Sequence, residues 1–175
     1  MRIISGTHKG RRIAAPKNLP VRPTTDRSKE GLFNILQHRL EFDTLSVLDL
    51  FSGTGNMSYE FASRGVSNIT SVDQNSNCIH FIQKTSTELS LNINSIQSES
   101  TLFLKKNLQD YNLIFADPPY DWEAEAYLGL LQLAKQRLDS DGMIIFEHSN
   151  FIDLSQGDGF DFYRNYGGSV FSFFE

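Results

Sequence analysis

The chain carries one cysteine, Cys78, in 175 residues. A single thiol builds no disulfide framework and no thiolate metal cluster. Its four histidines, His8, His38, His80 and His148, show no i, i+4 or other ligand spacing, so no metal is expected. No apolar run approaches the ~20 residues of a membrane span, and the N-terminus has no apolar signal stretch. A cytoplasmic protein is the expectation. Prolines number five, and two of them, Pro118 and Pro119, stand side by side.

What is present suits one domain with a substantial core: 39% hydrophobic residues, with fourteen Phe, six Tyr and one Trp. The net charge of −5 argues against a nucleic-acid partner, but its distribution reverses that impression. Residues 1–40 hold nine Lys/Arg against Asp26 and Glu30, whereas residues 41–175 hold seven basic and nineteen acidic groups. A basic segment on an acidic body is the footprint of a surface that meets a polyanion. A solvated basic flank that merely balances the body explains the composition equally well.

Hydrophobic periodicity divides the rest of the chain. "RIISGTHKGRRIAAP" reads as two short strands about a glycine-containing turn, and "KNLPVRPTTDR" as an extended, proline-rich loop. A helix is expected over 26–40, with Thr25 or Asp26 as N-cap. Strands at 45–51, 68–73, 93–99, 111–117 and 142–148 then alternate with helical patterns, and "FDFYRNYGGSVFSFF" reads as two strands around Gly167-Gly168. This pattern predicts a doubly wound, mostly parallel α/β sheet with an antiparallel pair at its end.

Ligands bind such sheets at the carboxyl ends of the strands. After the first strand comes Asp49-Leu50-Phe51-Ser52-Gly53-Thr54-Gly55. Gly53 and Gly55 allow a close backbone approach, the following helix presents free N–H groups, and Asp49 suits a cation such as an amino-acid ammonium. A dinucleotide loop, or a tight turn with no ligand, fits the same residues. Asp73, after the second strand, can accept from both ribose hydroxyls of a nucleotide or can cap the next helix. Glu99, after the third, can accept from an adenine amino group.

The fourth strand ends in "IFADPPYDW", and this motif has a specific chemical use. An exocyclic amine on a nucleobase is a poor nucleophile, because its lone pair is delocalised into the ring. A carboxylate (Asp117) and a neighbouring carbonyl (Pro118) that accept its two N–H bonds aim the nitrogen at a methyl donor and disperse the developing charge. Consecutive prolines fix φ and donate no N–H, which keeps those acceptors rigid. Tyr120 offers a face to the base, worth roughly 1–3 kcal/mol per stacked base. A proline-stiffened loop capping a strand is the plain structural alternative.

These residues carry a resemblance. "RIISGTHKGRRI", "VRPTTDRSKEGLFNIL", "VLDLFSGTGNMSYEFASRG" and "FADPPY", with "EHS" and "YGGSVFSFF", make the chain similar to the RsmD family of bacterial 16S ribosomal RNA guanine-N2 methyltransferases. The resemblance implies a Rossmann-like class I methyltransferase fold with a seven-stranded, mostly parallel sheet, a C-terminal antiparallel pair and a small N-terminal β-hairpin and helix extension. It divides the chain into a basic RNA-contacting extension (1–40) and a methyltransferase domain (41–175). It implies S-adenosyl-L-methionine as cofactor, with Asp49, Ser52, Gly53 and Gly55 at its methionine end, Asp73 at its ribose and Glu99 at its adenine. Asp117, Pro118 and Tyr120 would form the amine site, with Pro119 beside them.

The partner implied is 16S rRNA or an assembling small ribosomal subunit, gripped through phosphates by Arg11, Arg12, Arg22 and Arg27. A monomer is expected. The acidic "YDWEAEAY" departs from relatives that carry basic residues there. Rival readings are an adenine-N6 or cytosine-N4 amino-methyltransferase, which more often has Asn at the Asp117 position, and an NAD-dependent oxidoreductase, which has no use for Asp117-Pro-Pro-Tyr120. A ribosome-assembly factor with a relict pocket is a third; intact Gly53, Gly55, Asp73 and Asp117 argue against it.

Overall fold

The computed structural model describes residues 1–16, 19 and 24–175. Most of the proline-rich loop, Arg22 included, lies outside the described residues. After α1 (Asp26–Leu36) the chain alternates: β1 (Ser46–Leu50), α2 (Asn56–Ser63), β2 (Asn68–Asp73), α3 (Ser76–Glu88), β3 (Ile93–Gln97), α4 (Ser100–Lys106), β4 (Tyr111–Ala116), α5 (Ala124–Lys135) and β5 (Leu138–Ser149). β6 (Phe160–Tyr166) and β7 (Ser169–Phe174) close it as a hairpin.

The seven strands lie in the order β3-β2-β1-β4-β5-β7-β6. Pairing is parallel from β3 through β5 and antiparallel at β7 and β6. The chain winds outward from β1 to β3, then returns to β1's other side as β4, so strand order reverses between β1 and β4. Side chains alternate across the sheet. Val47, Leu113, Phe115 and Ile145 face α1 and α2, whereas Leu48, Leu50, Ile114 and Ile144 face α4 and α5. Both faces are covered, which is why these strands read as continuous apolar runs.

Thr25 caps α1, its side chain accepting from the Ser28 amide. The helix stops at Leu36, short of the expected residue 40, and a 3-10 turn at Phe42–Thr44 leads into β1. β5 begins four residues earlier than expected, at Leu138. The expected N-terminal strands reduce to one antiparallel bridge, Arg2 to Arg12, closed by hydrogen bonds from the Ile3 amide to the Arg11 carbonyl (2.9 Å) and the Ile13 amide to the Met1 carbonyl (3.0 Å). Too few ladder bonds form for strands, because much of this segment's bonding goes to α2 instead.

Those anchors centre on a buried ion pair. Lys29 and Glu60 are both fully buried, with Nζ 3.4 Å from Oε2. Lys29 also donates to the Arg2 carbonyl (2.7 Å) and to Asn56 Oδ1 (2.8 Å). Glu60 accepts from the amides of Ile4 and Ser5 and from Arg64 Nε. Burial holds the Lys29 ammonium below its usual range, against the opposing pull of Glu60. Gly6, at φ +82°, lies so close to the Ser63 carbonyl that any Cβ would collide with it. Ile3 and Ile13 pack with Tyr59, Ile79 and Ile82 in a cluster of their own. No helix among the described residues is long and apolar enough to cross a membrane.

Removing one partner of a buried pair leaves the other charge uncompensated. Lys29→Met is therefore expected to lower unfolding free energy by about 3 kcal/mol in urea titrations. An unchanged midpoint and slope would show that the pair is not what anchors the N-terminal segment.

Candidate active site

A cleft of about 510 Å³ opens at the carboxyl edge of the sheet, at the ends of β1 and β4. Its floor is made by the turn after β1. Leu50 and Ala116 are register partners, and the Asp117 amide donates to the Leu50 carbonyl at 3.4 Å, so the two loops leave the sheet side by side. Asp49, Ser52, Gly53, Asp73, Glu99, Asp117, Pro118, Pro119 and Tyr120 all line this cleft.

The turn is shaped by left-handed residues: Phe51 at φ 58°, Gly53 at 51° and Gly55 at 81°. For a non-glycine this conformation costs roughly 1–2 kcal/mol, so Phe51 is a strained residue at the edge of the cleft. Its ring packs edge-on against Trp122, with centroids 5.3 Å apart. Gly55 does not line the cleft. A Cβ there would meet Ile82 and Tyr59 at 2.9 Å, so the space it saves belongs to the packing of α2 and α3.

Asp73 clamps the turn. Its Oδ2 accepts from the Gly53 amide and its Oδ1 from the Asn75 amide, both at 2.8 Å. The N-cap of α3 is Asn75, whose side chain accepts from the amides of Asn77 and Cys78, rather than Asp73 itself. Each carboxylate oxygen has two lone-pair directions, so Asp73 retains accepting capacity toward the cleft. Glu99 is the N-cap of α4 and accepts from the amides of Thr101 and Leu102 and from the Thr101 hydroxyl. Desolvation pushes its carboxyl up, but these donors outweigh it and leave the group below its ordinary value.

Asp49 is buried beneath the turn. Its Oδ2 accepts from the Ser58 amide (3.1 Å) and the Ser58 hydroxyl (2.5 Å). Desolvation lifts the carboxyl from 3.8 to about 7, the Ser58 donors oppose the rise, and the nearby Asp73 adds to it.

The opposite wall joins distant segments. Buried Glu147 on β5 accepts from Thr24 Oγ1 (2.6 Å) and from the Tyr120 hydroxyl (3.4 Å), which also lies 3.2 Å from Ser169 Oγ. Thr24 lines the cleft, and Asn56 Nδ2 donates to its carbonyl. Sequence reasoning missed Phe51, Trp122, Thr24 and Glu147. Trp122 had a signal, as the chain's one tryptophan two residues after Tyr120 of the Asp-Pro-Pro-Tyr motif; Glu147 stood in the "EHS" segment of the resemblance, but its partners lie far away in sequence. Of the basic candidates, Arg11, Arg12 and Arg27 are exposed.

The profile of the family described as conserved hypothetical protein 95 matches residues 1–175. The chain belongs to this family, the RsmD family of S-adenosylmethionine-dependent methyltransferases. It is 30% identical over 154 residues to ribosomal RNA small subunit methyltransferase D of Buchnera aphidicola subsp. Baizongia pistaciae, covering 87% of this chain and 78% of that protein. The solved hypothetical protein TTHA0928 of Thermus thermophilus superposes with a TM-score of 0.86 at 24% identity, over 100% of this chain and 99% of that one. The T. thermophilus 16S rRNA N2 G1207 methyltransferase (RsmC), solved with AdoMet and guanosine, gives 0.72 at 19% identity, over 90% and 45%.

The RsmD-family cofactor is S-adenosylmethionine, and the cleft fits it. Ser52 Oγ is buried in the cleft lining and has no hydrogen-bond partner among the described residues. A donor with polar groups along its length satisfies such an atom, which an apolar ligand leaves stranded.

The Asp49 shift has a consequence for stability. Between pH 4 and 7 the folded protein holds a proton on Asp49 that the unfolded chain has released, so this carboxyl favours folding below its unfolded value and costs stability as pH rises. Denaturant unfolding is expected to show a pH 4 to 7 decline that is steeper, by up to about 4 kcal/mol, in the wild type than in Asp49→Asn. Parallel pH profiles would contradict the burial of an ionisable carboxyl.

Proposed function

We propose that the chain transfers a methyl group from S-adenosylmethionine to the exocyclic N2 of a guanine in 16S ribosomal RNA, by direct in-line displacement. The observation that carries this reading is the juxtaposition of the Ser52-Gly53 turn with Asp117 and Pro118 in one cleft. The names of the relatives support it: the Buchnera protein is a small-subunit rRNA methyltransferase, and the T. thermophilus neighbour an N2 methyltransferase solved with guanosine.

The cofactor supplies an electrophilic methyl on a sulfonium. Asp49 and Ser52 hold its methionine end, with Asp49 accepting from the ammonium. Asp73 accepts from the ribose hydroxyls while keeping its clamp on Gly53, and Glu99 stands at the adenine. Gly53 lets the backbone pass close to the donor, and Gly55 acts indirectly by seating α2 beneath the turn.

On the acceptor side, the Asp117 carboxylate and the Pro118 carbonyl accept from the guanine N2 amine, aligning its lone pair with the methyl. Positive charge grows on that nitrogen during transfer, so a fixed carboxylate stabilises the transition state more than the ground state. The alkylated amine then sheds a proton readily, and no strong base is needed. Tyr120 and Pro119 flank the base. The guanine must leave its stack to reach the cleft, at a cost of a few kcal/mol.

Residues 1–40 act as the RNA-contacting extension on a methyltransferase domain of residues 41–175. Exposed Arg11, Arg12 and Arg27 supply phosphate contacts, joined by Arg22. In this reading a monomer is the acting unit.

Replacing Asp117 by Ala is expected to leave S-adenosylmethionine affinity within about twofold while the methylation rate falls on the order of 10²–10³. Calorimetry and single-turnover assays separate the two quantities. Unchanged turnover refutes the role of Asp117. Loss of donor binding in step with rate would instead make it a donor ligand.

A further inference from the structure

We propose that Ser58 and Ser71 form a buried positioning relay that orients Asp49 and favours its ionised form when the donor's amino-acid ammonium binds. The inference rests on the reading of Asp49 as the ammonium acceptor and extends it to two residues that touch no ligand. Ser58 Oγ lies 2.5 Å from Asp49 Oδ2 and 2.6 Å from Ser71 Oγ, and the Ser58 amide reaches the same carboxylate oxygen at 3.1 Å. Ser58, Ser71 and Asp49 are all at most 1% exposed.

The order of donors follows from the chemistry of the groups. An ionised carboxylate only accepts, so Ser58 spends its hydroxyl proton on Asp49 and then accepts from Ser71. Both Ser58 donors converge on Oδ2, which fixes the carboxylate plane and orients Oδ1. Chained hydroxyls polarise one another, so Ser71 strengthens the bond that Ser58 makes to Asp49. The relay has a reason to exist: Asp49 is desolvated beneath the turn, and among the described residues the other charged groups lining the same cleft, Asp73, Glu99 and Asp117, are all acidic. Phe115, its register partner on β4, donates nothing from its side chain. Among these surroundings α2, with Ser71 behind it, is what supports the anion.

Two ligands separate this role from a merely structural one. S-adenosylhomocysteine carries the ammonium; 5′-methylthioadenosine has the same nucleoside and thioether but no amino-acid end. In calorimetry on the full chain, Ser58→Ala should weaken S-adenosylhomocysteine roughly tenfold, the size of a lost charged hydrogen bond, and leave 5′-methylthioadenosine within about twofold. Ser71→Ala should give a smaller loss of the same selectivity, and the double variant should be no worse than Ser58→Ala. The pH midpoint of S-adenosylhomocysteine affinity should move upward in both single variants.

If both ligands weaken together, if neither changes, or if the two losses simply add with an unmoved midpoint, the relay is refuted. Asp49→Asn distinguishes the underlying reading. Selectivity lost in Asp49→Asn but kept in Ser58→Ala overturns the relay and spares Asp49. Selectivity kept in both overturns Asp49 as the ammonium acceptor, and the relay with it.

Discussion

The parallel pairing of β1 with β4 is the constraint on which the site depends. These strands are far apart in sequence, yet their register partners Leu50 and Ala116 end the two strands together. The pairing is set by burial on both faces, since Leu113 and Phe115 face one helical layer and Ile114 and Ala116 the other. A one-residue slip would exchange every side chain between the layers, and packing at native density resists such an exchange. The reversal of strand order at this point leaves a gap between the loops, and the residues at its two rims are Ser52-Gly53 and Asp117-Pro118.

A second constraint fixes the third wall. The Lys29–Glu60 pair holds the N-terminal segment and α1 against α2, and Asn56, which accepts from Lys29, donates to the Thr24 carbonyl. Thr24 then donates to Glu147, which also receives the Tyr120 hydroxyl. One buried polar network thus runs from the basic extension to the aromatic ring beside Asp117. Burying so many polar groups is tolerable only because they satisfy one another. Its yield is geometric: the segment proposed to grip RNA is tied to the proposed amine site.

The sheet was legible from sequence because two-sided burial writes itself as apolar runs of strand length, and helical periodicity lies between them. Asp49, Asp73, Glu99 and Asp117 stood out by their places at strand ends, and all four line the cleft. Local competition was harder to read. The N-terminal strands became a single bridge because α2 supplies many of the segment's partners through Glu60 and Ser63. Gly55 looked like a ligand-facing glycine, yet its missing side chain makes room for Tyr59 and Ile82. Asn75 took the capping role that Asp73 was also suited to, which frees Asp73 to clamp Gly53. Phe51 carries no pattern that announces a strained turn, nor that the ring of Trp122 would brace it edge-on. Such features depend on tertiary neighbours, and periodicity is blind to them.

Taken together, the acidic character of this cleft is chemically consistent. A sulfonium with an ammonium at one end, and an amine that becomes cationic as it reacts, are both cations that carboxylates recognise. Basic residues concentrate in the first 40 positions, where the proposed RNA contacts lie, and the charged groups that line the cleft among the described residues are acidic. The most direct test is mass analysis of nucleosides from 16S rRNA incubated with the protein and trideuteromethyl-labelled S-adenosylmethionine. Label confined to N2-methylguanosine at a single site is the expected result. Label on a ring nitrogen, a ribose or an adenine or cytosine amine, or none on bare RNA and assembling small subunits alike, would contradict it.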